Sequence, residues 1–96
     1  MTEEEFKKRT KRFALRTIRL VETLPRGRAT ADVIGRQLLR SSTSVGANYR
    51  AACRARSTAD IISKLGIVEE EADESLFWME LLIDAELIPP TRSPIS

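Results

Sequence analysis

Apolar residues recur along this chain at alternating intervals of four and three, the spacing that keeps side chains on one face of a helix. Phe6, Thr10, Phe13, Thr17, Leu20 and Leu24 form the first such series, with Ala14 and Val21 beside it. Thr2 is placed to cap this helix, with Glu5 three residues on as its capping-box partner and acidic residues in the first turn, where the helix dipole favours them. Pro25-Arg26-Gly27-Arg28 ends it, and Thr30 is the expected cap of the next. The second series is Ile34, Leu38, Ser41, Val45, Asn48, Ala52 and Ala55, which predicts a helix over residues 31–56. Ser57-Thr58 then breaks and restarts the chain. A third series, Ile61, Leu65, Val68, Ala72, Ser75, Met79 and Leu82, thickened by Ile62, Leu76 and Ile83, predicts a helix running to about Leu87 and closed by Pro89-Pro90. No stretch alternates with the period of a strand. The pattern predicts an all-α, antiparallel, up-down bundle of three long helices occupying residues 1–88, with residues 89–96 as a disordered tail.

The second seam is made of small residues. Ser41, Val45, Asn48 and Ala52 bury little apolar area, so they stabilise by letting another backbone approach closely. Asn48 on such a seam is expected to fix register. Gly46 is a point of kinking or close approach. On the third helix, Phe77, Trp78 and Leu81 fall away from the seam, beside Glu70 and Glu74. Bulky apolar residues on an outer face need a partner, so these are the expected oligomer contacts, and the chain is expected to associate with itself.

Charge sharpens the reading. The formal net charge is only +2. However, Met1–Ser57 carries 14 Lys/Arg against 5 Asp/Glu, whereas Thr58–Ser96 carries 2 against 9. At about 100° per residue, Lys8, Lys11, Arg12, Arg16 and Arg19 line the side of the first helix opposite its seam. Arg36, Arg40, Arg50 and Arg54 share a band on the second, with Thr43 and Ala47 in the gap between them. Two basic stripes on adjacent helices suit a phosphate backbone, RNA or DNA. Internal neutralisation by the acidic third helix is the alternative reading. No aromatic residue interleaves with these arginines, so base stacking is not expected.

The chemistry the sequence leaves out is as informative. There is no histidine, so Ser41–Ser44 lack a general base, Cys53 lacks an imidazole, and the Glu-x-x-His helices of di-iron bundles are missing. No phosphate-cradling glycine motif or CxxC pair is present. The reading is a non-enzymatic protein with no cofactor and no metal. One cysteine, no apolar run long enough for a membrane span and an acidic N-terminus fit a cytoplasmic protein.

Ser44-Val45-Gly46-Ala47-Asn48-Tyr49, followed by Arg54 and Ser57, resembles a signature of the small four-helix-bundle proteins encoded by intervening sequences in bacterial 23S ribosomal RNA genes. Leu65-Gly66-Ile67-Val68-Glu69-Glu70-Glu71-Ala72-Asp73-Glu74-Ser75-Leu76-Phe77-Trp78-Met79-Glu80-Leu81 is a second match. The resemblance implies a left-handed antiparallel bundle, often assembled as a homopentameric ring. A related branch is similar to the accessory protein of diversity-generating retroelements, a basic barrel associated with nucleic acid and a reverse transcriptase. Molecular function across the family is poorly defined. This chain departs from the pattern at Gly46, where many relatives carry Pro, and at Ala51, where many carry Glu. It also ends at Ser96, where the family normally begins a fourth helix. The functional expectation is an oligomeric module binding nucleic acid, or a nucleic-acid-handling protein, through its basic face. The alternative is a self-assembling scaffold that binds no nucleic acid.

Overall fold

The computed structural model describes residues 1–89, and the expected tail lies, apart from Pro89, outside them. Three helices run in order: α1 (Glu3–Glu22), α2 (Ala29–Cys53) and α3 (Thr58–Asp84), and no strand occurs among the described residues. They alternate in direction along an elongated body of 44 × 21 × 18 Å. The central helix is α2: it packs extensively against α3 and less so against α1, while α1 and α3 make no comparable contact.

The ends of the helices follow from local chemistry. The Thr2 side chain accepts from the Glu5 amide and caps α1 as expected, and Ser57 caps α3 through the Asp60 amide. Thr30 does not cap α2. The cap residue is Arg28, which offers no side-chain acceptor, and Thr30 stands inside the first turn. Gly27, with φ 78°, turns the chain in the left-handed region open to glycine and so starts α2 earlier than Thr30 would. At its other end α2 stops at Cys53 and not at Arg56, because the Arg54 amide folds back onto the Ala51 and Ala52 carbonyls. α3 also stops three residues short of expectation. Glu86 turns into the left-handed region (φ 59°), its amide bonds Ile83 O, and the Leu87 amide bonds Leu82 O. That pair of bonds is a Schellman reversal. It returns Leu87 to the core, where Ile88 is buried as well.

The core sits at one end of the bundle. Leu20, Leu24, Ala31, Leu38, Met79, Leu82 and Ile88 form one buried cluster, with Phe13, Ile34 and Trp78 packed against it. Toward the other end, hydroxyls replace aliphatic bulk: Thr10, Thr17, Ser41, Ser42 and Ser75 are all buried. Each hydroxyl bonds a carbonyl three or four residues back in its own helix. The Ser41 and Ser75 oxygens also meet across the α2–α3 contact at 2.9 Å. Every buried side-chain polar atom among the described residues is partnered, so these small groups bring helices close with no desolvated orphan.

Of the predicted α2 seam, Ser41, Val45 and Ala52 are buried. Asn48 is half-buried, and its amide donates to the Ser44 carbonyl of its own helix at 2.9 Å. Within the chain it therefore does not tie α2 to a neighbour as a register-fixing residue would. Gly46 lies within the continuous helix α2. It is a close-approach point, since a Cβ there would stand 3.2 Å from Thr10 Oγ1 of α1. The α3 seam divides. Val68, Ser75, Met79 and Leu82 are buried on α2, whereas Ile61, Leu65 and Leu76 remain exposed. Leu76 lines an open groove between α1 and α3 of about 470 Å³ together with Phe13, Val45 and Ala72, with Arg9 on one bank and Asp73 on the other.

Candidate nucleic-acid interface

Antiparallel packing of α1 on α2 brings two sets of cations to one outer surface. Thr10 and Gly46 sit at the contact, so the residues flanking them form the floor and rims of a shallow concavity of about 340 Å³. Its floor is Thr10, Ala14, Thr43, Gly46 and Ala47. Lys7 and Lys11 rise from α1, and Arg50 rises from α2. The floor is small because the helices could not otherwise approach, and the same smallness leaves room for a ligand between the cations. Beyond this concavity, Arg36 and Arg54 continue the exposed face of α2.

The predicted cations are not all brought together. Lys8, Arg12 and Arg19, with Leu15 and Arg16, line a separate surface on α1 alone, and Lys11 is the residue that borders both surfaces. Arg40 belongs to neither. Its guanidinium bonds Glu71 at 3.2 Å and Glu74 of α3, and its Nε donates to Gln37. It thus serves the α2–α3 contact. Among the described residues the other ion pair is Lys7–Glu4, at 3.6 Å along α1. Lys7 is a cation of this concavity that the helical faces read from the sequence did not single out, because only the position of α2 turns its side of α1 into a rim.

The expected oligomer residues also separate. Phe77 is exposed, Leu81 is half-buried, and Trp78 packs partly on the core while its indole N–H donates to Glu74 at 3.1 Å. Trp78 therefore does not stand free on an outer face. Phe77 meets it edge-on, with ring centroids 5.0 Å apart. At the far end of the bundle Phe6 and Tyr49 are in ring contact at 4.4 Å. Nearby, the Glu3 carboxylate pushes the pKa of the Cys53 thiol up, with burial adding to the shift. Burial and the Cys53 thiol likewise raise the Tyr49 phenol. A thiol held protonated is a poor nucleophile. No group of three or more His, Cys, Asp or Glu is placed to hold a metal ion among the described residues, and no helix there is long and apolar enough to cross a membrane.

Among the described residues, an all-helical bundle with a basic concavity on one outer face is the class these features define. The chain belongs to the 23S rRNA-intervening sequence protein family, whose profile matches residues 2–93. A solved structure from Bacteroides thetaiotaomicron VPI-5482, described as a protein of unknown function from the S23 ribosomal protein family, superposes with a TM-score of 0.82 at 41% identity. The alignment covers 90% of this chain and 79% of that one. No match is found among curated proteins.

Proposed function

We propose that this chain is a non-enzymatic helical module that binds the phosphate backbone of RNA or DNA through the outer face of α1 and α2. The observation that carries the reading is the concavity where Lys7, Lys11 and Arg50 surround a floor of small residues, extended by Arg36 and Arg54. Cations on two antiparallel helices, with nothing bulky between them, match a rod of regularly spaced negative charge. Affinity would come from phosphate neutralisation and counterion release, and so would be largely indifferent to sequence. No aromatic residue lines the concavity, so the backbone and not the bases is the target. Alternatively, the bound species is a nucleic-acid-handling protein such as a reverse transcriptase, recognised through the same cations.

A second reading has its own support. Arg40 is already neutralised by Glu71 and Glu74, which is what a scaffold would show if its charges served only its own assembly. Titrating labelled RNA and duplex DNA against the parent and a Lys11→Glu/Arg50→Glu variant separates the two. The binding reading predicts tight low-salt association that the variant loses. The scaffold reading predicts none for either protein.

A further inference from the structure

The cations of the α1–α2 concavity are bounded along the joint between the two helices. Past Lys11, the same outward face of α1 carries Ala14 and Ile18 and then Glu22. Back from Arg50, the matching face of α2 carries Ala47, Thr43 and Leu39 before Arg36 and Asp32. Arg40 does not fill this neutral stretch, because Glu71 and Glu74 hold it on the α3 side. Arg36 stands about 21 Å along α2 from Arg50 at the helical rise. There it shares a second hollow, at the α1–α2 turn, with Arg26, Glu22 and Asp32, so that two carboxylates offset two guanidinium groups. At the opposite end Glu4 comes one turn before Lys7 and pairs with it at 3.6 Å. A strand running the length of the joint would gain phosphate contacts over one short stretch, cross a neutral one and then meet carboxylates.

Depth points the same way. Packed helices have axes about 8–10 Å apart, so the cleft between their outer faces admits a phosphate group and not the body of a duplex. The small residues Thr10, Gly46 and Ala47 open a floor there, in a hollow of about 340 Å³. The Thr10 and Thr43 hydroxyls already donate to carbonyls of their own helices, so Lys7, Lys11 and Arg50 are what can neutralise a group on this floor. Lys11 and Arg50 form no ion pair with a described residue. The Glu4 side chain that pairs with Lys7 is 74% exposed, and such a pair competes weakly with a phosphate. An internal phosphodiester brings a single negative charge, whereas a phosphomonoester carries about −1.5 to −2 at pH 7. Three cations around one small, bounded hollow match the phosphomonoester.

We infer that the concavity takes the phosphorylated end of a nucleic-acid strand. The inference rests on the reading that these cations bind nucleic-acid phosphate, and it narrows the target from the backbone at large to a strand terminus. Glu22 and Asp32 are the residues that make the site a cup and not a track, by denying a continuing backbone the far end of the joint.

Fluorescence anisotropy with the full chain at low salt tests this on one internally labelled single-stranded RNA in four forms: 5′-phosphorylated, 3′-phosphorylated, with hydroxyl ends, and covalently closed into a circle. At least one phosphorylated form binds at least about tenfold tighter than the hydroxyl-ended strand and the circle. That advantage fades as pH falls below about 6, where a phosphomonoester takes up its second proton. The chain has no histidine to blur this window. Lys11→Ala/Arg50→Ala abolishes the advantage. Glu22→Gln/Asp32→Asn, with helicity checked by circular dichroism, raises affinity for the circle by opening the far end. A nucleoside monophosphate competes only at far higher concentration than the phosphorylated strand. A circle that binds as tightly as both phosphorylated strands would overturn the inference while upholding the reading beneath it. So would an advantage that ignores pH or survives Lys11→Ala/Arg50→Ala, or a circle indifferent to Glu22→Gln/Asp32→Asn. A mononucleotide that matches the strand would overturn the strand end as the target. Failure to bind any of the four forms would overturn both the inference and the reading.

Discussion

At Ala52 the protein is decided by what the residue lacks. Its methyl is buried where α2 carries its small seam, so Ala52→Leu should overpack the contact and cost about 1–3 kcal/mol, read as a lower denaturant midpoint at unchanged slope. Glu86 is the opposite case. It holds a left-handed conformation that costs an L-residue about 1–2 kcal/mol, so Glu86→Gly should raise stability by about 1 kcal/mol once glycine's own entropy is counted. Cys53 gives a pH-dependent prediction. Glu3 stabilises the thiol over the thiolate, so alkylation in mild alkali should be slower than for a free cysteine and should speed up in Glu3→Gln. Because the folded pKa is raised, the contribution to stability is present at neutral pH and is lost as pH rises through it. Ala52 was legible in the sequence, since its place on a four-three seam of small residues implies a close contact. Glu86 and the Glu3–Cys53 contact were not. The first is a backbone reversal that glycine would have announced, and the second joins residues fifty positions apart.

Among the elements, α3 shows where periodicity stops being enough. Its apolar positions predicted one seam, and that seam exists, yet only the Val68–Ser75–Met79–Leu82 side of it meets α2. A broad apolar face says how much a helix can bury, while its neighbours decide how much it does bury, so Ile61, Leu65 and Leu76 read the same as Met79 until α2 is placed. The α2–α3 contact carries its own electrostatic clasp, Arg40 with Glu71 and Glu74. The Arg40 side chain is about half exposed (49%), so solvent screens the pairs, and Arg40→Ala should cost on the order of 0.5–1 kcal/mol with helicity unchanged. Arg40→Ala should also leave polyanion affinity nearly unaltered, in contrast to Arg50→Ala, because only Arg50 borders the concavity. Equal losses of affinity from the two would count against that division. From the sequence the two arginines were indistinguishable, both lying in one band of α2 opposite its seam. What separates them is that one edge of the band leans toward α3 and the other toward α1.

For the whole molecule, the uneven distribution of charge along the chain is the feature that links fold to function. A basic α1–α2 half and an acidic α3 half are joined in one unit, and only Arg40 of the cations pairs with α3 among the described residues. Lys8, Arg12, Arg16 and Arg19 lie on the α1 flank and Lys7, Lys11 and Arg50 at the α1–α2 concavity, and the central claim concerns the concavity. Fluorescence anisotropy of a labelled duplex DNA, titrated over a series of salt concentrations, tests it most directly. The slope of log affinity against log salt counts the phosphates neutralised. Removing one contacting cation should flatten it by about 0.9. Lys11→Ala and Arg50→Ala should each flatten the slope by about that amount, and Arg40→Ala should leave it unchanged. A parent protein that fails to bind at low salt, or a slope that neither Lys11→Ala nor Arg50→Ala changes, would contradict the account.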